Sequence, residues 1–135
     1  MLSVKWQWIT DSLTVGLGAS LGANGRFWLS RWVQSRTEPP FPWGTFWVNV
    51  TGCFGVGLIA GLMLGFNWSP SWRNLVIIGF LGGYTTFSSF SLETYNLLQR
   101  GIYLQALLNI VGSVSIGLLG TWAGDVISKL IAGPR

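Results

Sequence analysis

Charged side chains are sparse and divide the chain into long apolar intervals. None falls from Pro39 to Trp72, from Asn74 to Leu92, or from Gly101 to Gly124. A helix needs about 20 predominantly apolar residues to cross the hydrocarbon of a bilayer. The three intervals therefore predict a second span near 43–66, a third near 74–98 and a fourth near 103–130. The stretch from Ser12 to Val33 has the length for a first span, although Arg26 interrupts it. Turn-forming runs agree with these limits, because TEPPFPWG (37–44), NWSPSWRN (67–74) and LQRG (98–101) close the three hairpins. Tryptophans fall in pairs near the same ends, at 6 and 8, 28 and 32, 43 and 47, 68 and 72, where such rings anchor helices at headgroup level.

Composition places the whole chain, residues 1–135, in one all-α integral membrane domain of four transmembrane helices. Half of the residues are hydrophobic and 9% are charged, whereas soluble domains carry about 25% charged residues. Cys53 is the single cysteine and has no internal partner for a bridge, and histidine is absent. The commonest metal ligand and proton shuttle is thus missing, which argues against an enzyme. The net charge of +4 comes from single Lys and Arg residues scattered between apolar stretches. That distribution fits membrane flanks and not a nucleic-acid surface. Near the amino terminus, Lys5 and the small residues of GASLGANG suggest a cleaved signal peptide, but Asp11 and the low hydrophobicity of DSLTVGLGASLGANG oppose it.

Four spans would put the amino terminus, second loop and carboxyl terminus on one side with Lys5, Arg73, Lys129 and Arg135. The other two loops would carry Arg31, Arg36 and Arg100, with Arg26 as a fourth. Lys and Arg bias sets orientation, and here it is nearly balanced. The expectation is insertion in both directions and an antiparallel, dual-topology homodimer with its two-fold axis in the membrane plane.

Glycines inside the spans keep helical spacing, with Gly18 and Gly22 in the first and Gly57, Gly61 and Gly65 in the second. In the fourth, Ser113, Gly117 and Thr121 repeat the interval. Small residues four apart let helices approach closely where lipid supplies no hydrophobic drive. Ser113 and Thr121 also admit a second reading, as hydroxyls lining a path.

The third span departs from uniform apolarity in GFLGGYTTFSSFSLE (79–93), whose hydroxyl residues surround Phe87 and Phe90. Thr86 lies at the middle of the expected span. Adjacent Gly82 and Gly83 each weaken a helix by about 1 kcal/mol relative to alanine, so a break near the middle of this span is expected. Carbonyls freed at membrane depth need neighbouring helices, water or a cation; close helix packing is the alternative role for these glycines. Phe87 and Phe90 share a face with Ser88 and Ser89 nearby. Ring edges are electropositive and hydroxyls turn their hydrogens, so this face offers weak donors to an anion. Core packing is the plainer reading of the two rings. Asn49 and Arg26 lie about 10 Å inside one membrane face at 1.5 Å per residue, at a common depth suited to an anion-attracting mouth. Glu93 is the lone acid of the third span.

GRFWLSRW, FPWGTFWVNVTGCFGVGL and above all GFLGGYTTFSSFSLE resemble the Fluc (CrcB) fluoride channels, in order and over nearly the whole chain. The resemblance implies a fluoride-selective channel for passive export, relieving fluoride toxicity, in a multi-pass protein of the bacterial inner membrane. Its partners would be fluoride, a second copy of itself and the bilayer, with no nucleic acid. It further implies two parallel pores and a structural sodium ion at the dimer interface, held by backbone carbonyls of Gly82 and Thr85. Phe87 and Phe90 would be the pore phenylalanines, Asn49 the pore asparagine and Arg26 a vestibule arginine. Ser88 and Ser89 would adjoin them, with Ser113 and Thr121 on a hydroxyl track of the fourth span. Asn109 stands where the family leads one to expect a tyrosine, and Ser89 where a threonine is usual. A small dual-topology proton-coupled multidrug exporter shares the helix number and charge balance, but it needs an acid deep in a span, and the first span has none after Asp11.

Overall fold

The computed structural model describes residues 2–133, with side chains from residue 6 onward. Arg135, one of the orienting charges, lies outside the described residues, and Lys5 is described in its backbone only. Every regular element among the described residues is helical: α1 (Leu2–Gln34), α2 (Trp43–Gly65), α3 (Pro70–Trp72), a π-helical segment (Arg73–Leu81), α4 (Gly82–Tyr84), α5 (Phe87–Gln99) and α6 (Tyr103–Ala132). Three helical stretches are long and apolar enough to cross a membrane, namely Trp43–Gly65, Pro70–Gln99 and Tyr103–Ala132. The chain is thus an all-helical, multi-pass membrane protein. α1 has 33 residues, about 50 Å at the helical rise. It begins ahead of the expected first span and is less apolar than the other three.

Local signals explain where the helices stop. After α2, Asn67 adopts a left-handed φ of 50°, and the Trp68 N–H reaches back to the Met63 carbonyl. After α5, Gly101 does the same with φ 72°, while its own N–H bonds Leu98 and that of Ile102 bonds Leu97. Both are left-handed C-caps that satisfy the last carbonyls of a helix, and glycine or asparagine enters that region at least cost. Pro70 opens the next helix at a first-turn position, where the missing N–H removes no bond.

The bundle is built from two close helix pairs, α2 against α6 and α1 against the π-helical segment. Glycines make both possible. A Cβ at Gly57 would lie 2.1 Å from the Thr121 carbonyl oxygen, and one at Gly124 would lie 2.4 Å from that of Phe54. In the other pair, a Cβ at Gly18 would meet the Leu75 carbonyl oxygen at 2.1 Å, and one at Gly22 that of Phe80 at 2.0 Å. The glycine stripes of α1 and α2 therefore serve helix packing. Asp11 adds a polar tie at the end of the second pair, accepting from Asn74 Nδ2 at 3.0 Å.

Candidate functional site

The apolar stretch Pro70–Gln99 is not one continuous helix. Thr85 and Thr86 are extended, with ψ of 158° and 117°, between α4 and α5. The interruption falls just after the glycine pair that the sequence singles out. Gly82 and Gly83 are themselves helical. Gly83 is instead a packing residue, because a Cβ there would come within 2.6 Å of the Ala19 carbonyl oxygen of α1.

Asn49 of α2 holds the interruption open. Its Oδ1 accepts from the Thr86 N–H at 2.8 Å, and its Nδ2 donates to the Thr86 carbonyl at 3.0 Å. One side-chain amide thus satisfies both backbone groups of a buried extended residue, which would otherwise lack a protein partner. The Thr86 side chain then starts α5: its Oγ1 accepts from the Ser89 N–H at 3.1 Å and donates to Ser89 Oγ at 3.1 Å. This is an N-cap. Thr85 turns back, its hydroxyl donating to the Leu81 carbonyl at 3.0 Å.

Two cavities flank Thr86. The first, about 410 Å³, is lined by Asn49, Gly82, Thr85, Thr86, Phe87, Phe90 and Ser113, with apolar side chains of α2, the π-helical segment and α6 completing its wall. The Phe87 and Phe90 rings are 5.7 Å apart between centroids and tilted by 42°, and Phe87 is 80% exposed. The second cavity, about 370 Å³, is lined by Arg26, Arg31, Thr45, Thr86, Ser89 and Glu93 with Ala23, Phe27 and Ser30. In it the Thr45 hydroxyl donates to Glu93 Oε1 at 2.8 Å, while Glu93 Oε2 is buried without a hydrogen-bond partner.

The expected site residues divide between these places. Asn49, Phe87, Phe90 and Ser113 come together with Gly82 and Thr85 around the first cavity. Arg26 and Ser89 line the second, so Asn49 and Arg26, expected at a common depth, do not share a cavity. Asn49 is drawn aside by the Thr86 backbone. Ser88 is exposed and approaches Thr86 Oγ1 at 3.3 Å. Thr121 joins neither cavity, since its hydroxyl donates to the Cys53 carbonyl at 3.1 Å and the Gly117 carbonyl at 3.2 Å; it is part of the α2–α6 contact. Thr86 and Thr45 were not singled out as site residues from the sequence. Thr45 lies one helical turn before Asn49, and Thr86 three residues before Ser89 in capping register, which are the signals that point to them.

Asn109, where the resemblance leads one to expect tyrosine, is 1% exposed. Its Nδ2 donates to Thr94 Oγ1 at 2.8 Å, and its Oδ1 accepts from Ser113 Oγ at 3.3 Å. The polar side chains of α6 thus reach α5 through this amide.

Comparison with known proteins places the chain in a family. Residues 13–125 match the family model described as CrcB-like protein, Camphor Resistance (CrcB). A protein of Paramagnetospirillum magneticum named fluoride-specific ion channel FluC is 44% identical over 120 residues, covering 87% of this chain and 94% of its own. One of the same name from Hydrogenovibrio crunogenus is 45% identical over 127 residues, 93% of this chain and 96% of its own. Another from Rhizobium meliloti is 45% identical over 118 residues, 87% and 94% respectively.

Proposed function

The chain belongs to the CrcB-like family, and from that premise we propose that it is a fluoride channel that lets the ion leave the cell passively. It is not an enzyme. The observation that carries this reading is the pairing of Phe87 and Phe90 on the half-helix that follows the Thr86 break, beside Asn49 and Ser113, in a chain 44% identical to a relative named as fluoride-specific.

The physical problem for such a protein is dehydration. Stripping water from a small anion in a low-dielectric medium costs tens of kcal/mol unless donors replace it. A fixed counter-charge would bind too tightly for release, whereas several weak donors in series permit exit. The first cavity supplies ring edges from Phe87 and Phe90, and Asn49 retains one Nδ2 hydrogen beyond the one given to Thr86. Arg26 and Arg31 at the second cavity would raise the local concentration of anions.

The finer architecture is part of the same proposal: four membrane spans with α1 as the first, the third broken at Thr85–Thr86, and two chains inserted in opposite directions. The 80% exposure of Phe87 and the outward-facing Gly82 support it, because a ring that borders an ion path needs a second wall. A sodium ion would be held on the dimer axis by the Gly82 and Thr85 carbonyls. The residues fit: the Thr86 N–H that would close a helical bond on Gly82 goes to Asn49 instead, which leaves a main-chain oxygen suited to a hard cation. Such an ion would supply positive charge at the interface. The location proposed is the bacterial inner membrane.

Fluoride release from liposomes, measured with an ion-selective electrode in the presence of a potassium ionophore, tests the function. Emptying without a proton gradient is expected, and a gradient requirement would instead favour a coupled exporter. Vesicles that hold their fluoride reject the channel. A carboxyl-terminal reporter should be detected on both membrane faces, and detection on one face alone rejects the antiparallel arrangement.

A further inference from the structure

We propose that Asn109 is a positioning residue, fixing the half-helix α5 on α6 and so setting where the Phe90 ring meets the first cavity. The effect on flux rests on the channel reading above; the effect on geometry does not.

Because Thr85 and Thr86 are extended, α5 does not inherit its position from the helix before it. Packing does little to replace that constraint, since α5 lies against α6 far more sparsely than α2 does. Polar bonds from neighbouring helices hold it. Asn49 ties its start to α2 through Thr86, and Thr45 ties Glu93 to the same helix. Asn109 to Thr94 is the one side-chain hydrogen bond between α5 and α6 among the described residues. Without it, α5 keeps its sparse packing on α6, but no directional bond on that side opposes a roll about the line of its two α2 contacts.

The direction of this bond is determined by its surroundings. Thr94 gives its hydroxyl hydrogen to the Phe90 carbonyl at 2.7 Å, so it can only accept from Asn109. The amide must therefore turn its NH₂ to Thr94, which leaves Oδ1 for the Ser113 hydroxyl. A chain of three bonds runs one way, from Ser113 through Asn109 and Thr94 to the turn of α5 that carries Phe90. Both of its end residues line the first cavity. A leucine at 109 would fill a site that is 1% exposed without burying polar atoms. What the amide adds is direction: it defines the rotation and height at which α5 rests.

The test uses the full chain with Phe90 replaced by 4-fluorophenylalanine, so that a fluorine resonance reports the ring. The variants are Thr94→Val, Thr94→Ser, Asn109→Leu and the double Thr94→Val/Asn109→Leu. The resonance is expected to move in Thr94→Val and in Asn109→Leu, to move no further in the double variant, and to stay in Thr94→Ser, which keeps the hydroxyl. In liposomes the unlabelled variants should follow the same order, with fluoride efflux lowered roughly fivefold where the bond is lost, the scale of one intramembrane hydrogen bond. An unmoved resonance in both single variants, or single effects that add in the double, overturns the proposal. If Asn109→Leu does not fold, Thr94→Val against Thr94→Ser decides alone. If the unmodified chain passes no fluoride, the channel reading falls while the resonance still decides the positioning.

Discussion

Replacing Asn49 with leucine removes the amide while keeping the branched outline of the side chain. In the native arrangement that amide satisfies the N–H of Thr86 at 2.8 Å and its carbonyl at 3.0 Å, on a residue only 7% exposed. Each buried backbone group left without a partner costs about 1–3 kcal/mol, so the two together set an upper bound of about 6 kcal/mol. Thr86 lines cavities on both sides, and water entering them would recover part of that loss. An effective penalty of about 2–3 kcal/mol corresponds to roughly a 30- to 150-fold fall in the ratio of open to closed break. The alternative state is available, because the Thr86 N–H can return to the Gly82 carbonyl and continue the helix. Fluoride efflux from liposomes containing Asn49→Leu should fall, by up to that factor, and amide exchange at Thr86 in the purified protein should change with it. Wild-type efflux together with unchanged exchange would show that the break does not depend on Asn49.

Other substitutions probe separate parts of the structure. Phe87→Ile and Phe90→Ile remove the ring edges while leaving an apolar side chain, and each is expected to lower fluoride efflux at least tenfold (about 1.4 kcal/mol) with the melting temperature near that of the parent; undiminished efflux in both returns the rings to packing. Gly57→Ala would press a methyl group to 2.1 Å from the Thr121 carbonyl, an overpacking worth about 1–3 kcal/mol or more. Gly16→Ala meets nothing within 4 Å and should stabilise α1 by about 0.5–1 kcal/mol. Thermal melting in detergent separates the pair, and equal melting temperatures would contradict the helix contacts described.

Much of the architecture was legible in residues with local effects. Charge gaps located the apolar spans, Gly57 and Gly18 announced close helix faces, and Gly101 announced a helix end. The site was legible only in part, because its geometry depends on side chains from distant helices. The glycine pair pointed near the break but not to it: Gly83 is committed to α1, and the ladder opens where Asn49, 37 positions away in sequence, competes for the Thr86 backbone. No local propensity contains that competition. Ser113 and Thr121 looked alike from spacing, yet eight residues carry a helix about 80° past two full turns. That rotation takes Thr121 from the cavity to the α2 backbone. The π-helical turn spacing of 73–81 likewise had no signature in composition; it lies where α1 packs directly on main chain.

The tight caps at Asn67 and Gly101 have a practical consequence. Among the described residues, the segments joining the long helical stretches are confined to 35–42, 66–69 and 100–102. Little of the polypeptide therefore projects into water between helices, and a protease or antibody would find few loops to grip. Insertion tags belong in 35–42, the longest of these segments, and binders raised against the folded protein should converge on it.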